Sequence, residues 1–172
     1  MFVLKQYVVY PGHGVAEITR IIKRTMNGCE TMYYELTFIS KSATILVPLD
    51  NAKLVGIRPL SSKKKLEEVF VSLAHPAKKI SLKEFLATTW NRRNKSYQTK
   101  LSSGDPLSLC EIYKDLRFLS QTKELSFGEK SVLSQVELML AEEVSLVHHI
   151  DEKEARKVLQ KHSTYKNNEK ES

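Results

Sequence analysis

One segment of this sequence combines side chains of the types that commonly bind nucleic acid. It runs Trp90-Asn91-Arg92-Arg93-Asn94-Lys95 and contains the only tryptophan of the chain. If the segment is helical, Arg92 and Lys95 are neighbours on its surface. Such cations bind phosphates, while a flat aromatic ring can wedge against bases. An equally good interpretation has Trp90 filling the hydrophobic core, with the arginines in solvent.

The other reactive residues show no pattern of a catalytic or metal site. The sequence has no phosphate-binding P-loop, no dinucleotide-binding glycine motif, no serine-hydrolase elbow and no zinc-binding H-E-x-x-H. His148 and His149 are adjacent, so on a helix their rings do not face one ligand. Cys110 is interpreted as a small core residue. We therefore predict no enzyme activity, no metal and no cofactor.

The positive charge is concentrated around the tryptophan. The 172 residues carry 27 Lys and Arg against 20 Asp and Glu, a net charge of +7. Residues 63–104 alone sum to +7, while residues 1–62 sum to +3 and residues 105–172 to −3. An excess of this size favours a polyanionic partner, either nucleic acid or, less readily, an anionic membrane.

Cysteine usage and hydropathy favour a cytoplasmic protein with no membrane partner. Cys29 and Cys110 are the two cysteines, and their spacing matches neither a disulfide framework nor a metal site. The N-terminus lacks the pattern of a signal peptide. No run approaches the ~20 apolar residues that span a bilayer.

The first ~58 residues show the signals of short β-strands. Strands are predicted at 7–10, 15–22, 32–38 and 44–47, and a fifth short strand is possible in this length. Pro11-Gly12-His13-Gly14 is interpreted as a turn, because a strand follows it where a phosphate loop would precede a helix. Asn27-Gly28 is a hairpin dipeptide. Short strands in this number predict a small, strongly bent sheet or barrel, since a flat sheet would leave its edges open.

From about residue 62 the apolar period becomes helical. The first helix carries the stripe Leu66, Val69, Phe70 and Leu73 and is expected to end at His75-Pro76. Capping sequences predict four further helix starts, at Ser81, Asp105, Ser126 and Asp151. The helix from Ser81 is predicted to run through Trp90 to Gly104. The fold class is therefore α+β, a β-rich half followed by a compact five-helix half.

Six motifs make the sequence resemble the CarD/CdnL family of bacterial transcription regulators. Over roughly residues 5–160 they occur in family order: VVYPGHG at 8–14, VPLDNA at 47–52, VGIRP at 55–59, WNRR at 90–93, KLSSGD at 100–105 and LSFGEK at 125–130. The resemblance implies a Tudor/SH3-like domain over residues 1–60 that binds the β subunit of RNA polymerase. It implies a helical DNA-binding domain over 61–163, and the polar residues 164–172 are predicted to be a disordered tail.

The resemblance also implies roles for particular residues on the DNA side. The family tryptophan that matches Trp90 wedges into the minor groove at the upstream edge of the transcription bubble, and neighbouring basic residues hold the backbone. The implied function is stabilisation of the promoter open complex without sequence-specific recognition. An alternative is a polymerase-independent, sequence-nonspecific nucleic-acid-binding protein. The expected DNA contacts are Trp90, Asn91, Arg92, Arg93 and Lys95.

On the polymerase side, Arg24 matches an arginine that some relatives use against the β subunit. The companion position is arginine in some relatives but Leu46 here, so this part of the contact would be apolar or carried by neighbours. The expected polymerase contacts are Arg24, Ile45, Leu46 and Val47. The resemblance further implies a monomer that associates with the nucleoid through polymerase.

Overall fold

The computed structural model describes residues 1–26, 28–75 and 87–163. Within these residues, five β-strands are followed by five α-helices, with one short 3₁₀ helix, Leu49–Asn51, between the last two strands. The predicted α+β class, with the sheet first and the helices after it, is confirmed.

The strands form one antiparallel sheet in the order β4-β3-β2-β1-β5. Their bounds are β1 (Tyr7–Tyr10), β2 (Gly14–Met26), β3 (Cys29–Phe38), β4 (Thr44–Pro48) and β5 (Arg58–Pro59). A register shift between Ile18 and Arg20 interrupts the β2–β3 pairing, and such a bulge bends a strand. β2 runs further than the predicted 15–22. The predicted hairpin dipeptide falls partly outside the described residues, because Asn27 is not among them.

The predicted turn between the first two strands is confirmed. The His13 amide donates to the Tyr10 carbonyl at 3.0 Å, and β1 pairs with β2 up to Tyr10 and Gly14. Gly12 and Gly14 both have positive φ, at 75° and 104°, which residues with a side chain rarely adopt. Alternation along β3 then buries Tyr34, Leu36 and Phe38. The β-sheet core also contains Val8, Ala16, Ile18, Val47, Ala52 and Ile57.

Three of the five helices begin directly after the capping residues that predict them, Asp105, Ser126 and Asp151. The bounds of all five are α1 (Lys63–Ala74), α2 (Trp90–Ser103), α3 (Pro106–Thr122), α4 (Phe127–His148) and α5 (Glu152–His162). Asp105 accepts from the Ser108 amide at 2.9 Å and Asp151 from the Glu154 amide at 2.6 Å. Ser126 and Glu129 form the predicted capping box. The predicted box that begins at Ser81 lies outside the described residues.

The prediction of one helix from Ser81 to Gly104 is wrong. Ala87 is helical, but Thr89 is extended, with φ −63° and ψ 150°, and α2 begins only at Trp90. The Thr88 carbonyl accepts a hydrogen bond from the Arg93 guanidinium. Trp90 therefore occupies the first position of a new helix.

The helices enclose a second core. Its buried members include Leu66, Leu73, Tyr97, Leu101, Leu109, Cys110, Ile112, Tyr113, Leu116, Val136, Leu140 and Leu159. Cys110 is fully buried, as predicted, and burial raises the pKa of its thiol. None of the helices among the described residues has a stretch long and apolar enough to cross a membrane.

Two adjacent carboxylates of α4 join the helices to the sheet. Glu142 accepts from the Val15 amide at 2.7 Å, and a Cβ on Gly14 would lie 2.3 Å from its Oε2. Burial raises the pKa of Glu142. Glu143 accepts from Arg58 Nη1 at 2.7 Å, from Nη2 at 3.0 Å and from the Ser61 amide at 2.6 Å. The two cores are thereby held in one arrangement.

Three of the six sequence motifs meet at this contact. Arg58, from VGIRP, also donates from Nη2 to the Gly104 carbonyl of KLSSGD at 2.7 Å. A Cβ on Gly104 would lie 3.2 Å from Pro11 Cα, in VVYPGHG. Gln135 of α4 adds a hydrogen bond to the Gly12 carbonyl at 3.0 Å. These motifs therefore hold the sheet against the helices.

Candidate nucleic-acid interface

The Trp90 ring lies against the first turn of α4. A Cβ on Gly128 would lie 2.9 Å from Trp90 Cζ2 and 3.2 Å from Cε2, so only glycine leaves room for the ring. On its other side the ring centroid is 6.4 Å from that of Tyr97. The side chain packs on the helical core but remains partly exposed. Trp90 is thus neither fully buried in the core nor an isolated surface residue.

The predicted DNA-contact residues differ in their exposure. Asn91, Arg92 and Lys95 are exposed on the first turns of α2. The Arg93 side chain is only 11% exposed and donates from Nη2 to Glu129 Oε1 at 2.8 Å. The structure therefore brings Trp90, Asn91, Arg92 and Lys95 to the surface and turns Arg93 towards α4.

Glu129 joins three helix ends beneath Trp90. Its side chain is 2% exposed and accepts from the Lys123 ammonium and the Ser126 amide, each at 2.8 Å, as well as from Arg93. Burial alone raises the pKa of Glu129, but the hydrogen bonds from Lys123 and Ser126 outweigh it and lower the pKa to about 2. The carboxylate therefore stays charged and fixes the start of α2 against the start of α4.

The ion pair of Arg93 with Glu129 was missed in the sequence, although a signal for it is present. Tyr97 and Leu101 are the buried residues of α2, and Arg93 lies four residues before the first of them. A cation within an apolar stripe indicates a buried anionic partner, because an unpaired buried charge is costly.

The predicted polymerase contacts lie on both faces of the sheet. Arg24 is exposed on β2. Leu46 and Arg20 are both cross-strand partners of Glu35, so they share one face of the sheet, and Arg20 lies four residues before Arg24 on β2. Alternation thus places Arg24 and Leu46 on one outer face. Val47 is 4% exposed, and Ile45 packs on the sheet core. Of the four, Arg24 and Leu46 present side chains on that outer face, while Ile45 and Val47 hold the edge strand β4 in place.

A metal role for His148 and His149 finds no support in the described part of the chain. No group of three or more His, Cys, Asp or Glu side chains there could hold a metal ion. The backbone of His149 is left-handed, with φ 57°, and ends α4, so this residue is a helix cap.

Replacing Gly128 by alanine is expected to displace the Trp90 ring. The new Cβ would stand 2.9 Å from Cζ2, closer than carbon atoms pack. Because Trp90 is the only tryptophan, fluorescence excited beyond the absorption band of tyrosine reports on this ring alone. We expect red-shifted emission and stronger acrylamide quenching, whereas Ser134→Ala, on the exposed side of α4, leaves both unchanged. Helix propensity alone would stabilise Gly128→Ala by up to about 1 kcal/mol, so unchanged fluorescence with higher stability would contradict this packing.

Models of two protein-family domains match most of this chain. A model of the CarD-like/TRCF RID domain matches residues 2–61, and one of the CarD C-terminal domain matches residues 71–160. These matches define the class, a transcription regulator that interacts with RNA polymerase. The chain belongs to the CarD family. It is similar to a Bacillus subtilis (strain 168) protein named "Putative transcription factor YdeB", with 24% identity over 156 residues that cover 91% of this chain and 98% of that protein.

Proposed function

We propose that this chain binds the β subunit of RNA polymerase through residues 1–60 and stabilises the promoter open complex through residues 61–163. In this proposal Trp90 lies in the minor groove at the upstream edge of the transcription bubble. The observation that carries it is the placement of Trp90, a partly exposed ring at the start of α2, which the buried Arg93–Glu129 pair holds against α4. A ring that contacts open DNA more favourably than closed DNA shifts the equilibrium towards open DNA, and a ring already held in place loses less side-chain entropy when it binds.

The size of the effect is set by base stacking. An aromatic ring at the fork replaces a stacking partner that melting removes, and base–aromatic stacking is worth ~1–3 kcal/mol. A contribution of about 1.4 kcal/mol shifts an open/closed equilibrium tenfold. A weak DNA contact suffices, because attachment to polymerase raises the effective concentration of the ring beside the DNA.

Exposure divides the roles among the residues of α2. Asn91, Arg92 and Lys95 contact the sugar-phosphate backbone, which fixes orientation without reading sequence. Arg93 acts through Glu129 by holding the helix start, and any contact it makes with DNA is secondary. Since phosphate contacts carry no base specificity, the protein acts at many promoters.

The polymerase contact is assigned to the outer face and edge of the sheet. Arg24 supplies a charge and Leu46 an apolar surface, and β4 is the outermost strand of the sheet on the side of β3. Ile45 and Val47 contribute through the backbone of β4, because an edge strand can pair with a strand of a partner. The protein acts as a cytoplasmic monomer and joins the nucleoid through polymerase.

Reversing the charge of Arg24 is expected to weaken binding to the isolated β-subunit lobe about tenfold, because an attractive contact becomes a repulsive one. Isothermal titration calorimetry measures the affinity. The matched control is Lys153→Glu, an exposed cation on α5. Equal affinities of Arg24→Glu and the unaltered protein would reject the role of Arg24.

Binding to promoter DNA with and without polymerase tests the proposal as a whole. The concentration of charge in residues 63–104 favours a second candidate, a polymerase-independent binder of bulk nucleic acid. That candidate predicts full affinity for free DNA and a steep loss of affinity between 50 and 200 mM salt. The proposal predicts weak binding to free DNA and a longer open-complex half-life in a competitor challenge.

A further inference from the structure

Phe127 is an exposed aromatic residue directly beside the Trp90 site. Its side chain is 90% exposed at the first position of α4. The next residue, Gly128, is the one against which the Trp90 ring packs. Since Trp90 is the first residue of α2, the two helix starts that carry these aromatic residues meet at Gly128.

The surface around Phe127 combines apolar and basic groups. An open groove of about 560 Å³ is lined by Phe127 and Leu138 and by two cations, Lys41 and Lys130. Lys41 comes from the sheet half, donates to the His13 carbonyl at 3.1 Å and lies 5.7 Å from the Phe38 ring centroid. Lys130 pairs with Glu124 at 2.8 Å on the surface. The groove thus joins the two halves of the molecule.

Folding does not account for an exposed phenyl ring at this position. The capping box of Ser126 and Glu129 already satisfies the start of α4, and Phe127 buries little apolar area within the chain. Single exposed apolar residues are common on protein surfaces. This one adjoins Gly128, against which the Trp90 ring packs, and lines a groove with Leu138, Lys41 and Lys130. Such a surface suits a partner with both stacking faces and negative charge.

We propose that Phe127 is a second aromatic contact to promoter DNA, stacking beside Trp90 at the upstream fork. This inference rests on the proposed function. The cations Lys41 and Lys130 favour a polyanion over an apolar protein segment, and unpaired bases offer the flat faces that a phenyl ring stacks on. The groove then continues the path of one DNA strand away from the wedge.

The test compares open-complex half-lives with full-length variants in a competitor challenge. Phe127→Ala is expected to shorten the half-life at least about fivefold, Phe127→Tyr to preserve it, and Phe127→Leu to behave like the alanine variant, because stacking requires an aromatic ring. Val71→Ala, at a position 59% exposed on α1, is the matched control and leaves it unchanged. Thermal unfolding verifies that each variant is folded, as expected for exposed positions.

The outcomes separate this inference from the proposed function. If Trp90→Ala shortens the half-life and Phe127→Ala does not, the inference is overturned and the proposed function stands. If neither variant shortens it, both are overturned. Binding to polymerase in the absence of DNA is measured in parallel. A loss of that affinity in Phe127→Ala would make Phe127 a protein contact and overturn its assignment to DNA.

Discussion

Replacing Glu143 by glutamine is expected to lower the free energy of unfolding by about 3 kcal/mol. The Glu143 side chain is 2% exposed and accepts three hydrogen bonds, two from Arg58 and one from the Ser61 amide. Glutamine keeps the size but loses the charge and one acceptor. Arg58, whose side chain is 25% exposed, is then left without its carboxylate. Urea denaturation measures the loss.

The same substitution is expected to uncouple polymerase binding from the effect on open complexes. Glu143 fixes the sheet to α4, and the first turn of α4 supports Trp90. The variant should therefore bind polymerase normally but prolong open complexes less. The matched control is Glu152→Gln, whose partner Arg156 is 2.8 Å away in an exposed pair, with an expected loss of about 0.5 kcal/mol or less. Equal losses of unfolding free energy in the two variants would contradict the role of Glu143 in holding the sheet to the helices.

Replacing Glu129 by glutamine is expected to cost about 3 kcal/mol as well. This carboxylate is the shared acceptor of Arg93, Lys123 and the Ser126 amide. Arg93, with a side chain 11% exposed, would lose its anionic partner inside the helical half. Because the three helix ends meet here, we also expect the fluorescence of Trp90 to change. Chemical denaturation and emission spectra give the two readouts.

The pH dependence provides a second measurement on Glu129. Its pKa is lowered from 4.5 in an unstructured chain to about 2 in the folded protein. A depressed pKa contributes stability that is complete above pH 4.5 and is lost as the pH falls towards 2. The shift corresponds to about 3 kcal/mol. The unaltered protein should therefore lose more stability over this pH range than Glu129→Gln does.

A control for Glu129 is its exposed neighbour Glu124, which pairs with Lys130 on the surface. Glu124→Gln removes one carboxylate from the same loop but leaves the buried contacts intact. We expect little change in stability and an acid response like that of the unaltered protein. If the stability of Glu129→Gln falls with pH as steeply as that of the unaltered protein, Glu129 is not the source of the acid sensitivity.

Local features of the fold were predictable from the sequence. The caps at Asp105, Ser126 and Asp151 act within one turn of their own helices, and each is formed as its residue types predict. The apolar period of each helix likewise fixes which face is buried. The turn at residues 11–14 is a short-range consequence of proline and glycine. Such signals depend on neighbours within a few residues.

Contacts between distant residues were not predictable in the same way. Glu143 and Arg58 are 85 residues apart, and a glutamate in a helix is ordinarily solvated. A signal was present, because Glu143 falls three residues after Leu140 and seven after Val136, within the buried stripe of α4. The pattern indicates a buried partner but not which residue supplies it.

For the candidate site, the sequence indicates which residue types lie together but not their geometry. The motif places an aromatic and cations together, but the chain is extended at Thr89, just before Trp90, and Arg93 donates to the Thr88 carbonyl there. The face on which each side chain lies depends on this break in the helix. The support from Gly128, 38 residues further along the chain, is a tertiary contact. The division between exposed Arg92 and inward-facing Arg93 therefore required the structure.

The most direct test of the account is the half-life of preformed promoter open complexes with Trp90→Ala. We expect the half-life to fall about tenfold relative to the unaltered protein, with affinity for DNA-free polymerase unchanged and Trp90→Phe intermediate. Cooperative unfolding of each variant establishes that it is folded. Half-lives with Trp90→Ala as long as those with the unaltered protein, at several promoters, would contradict the account.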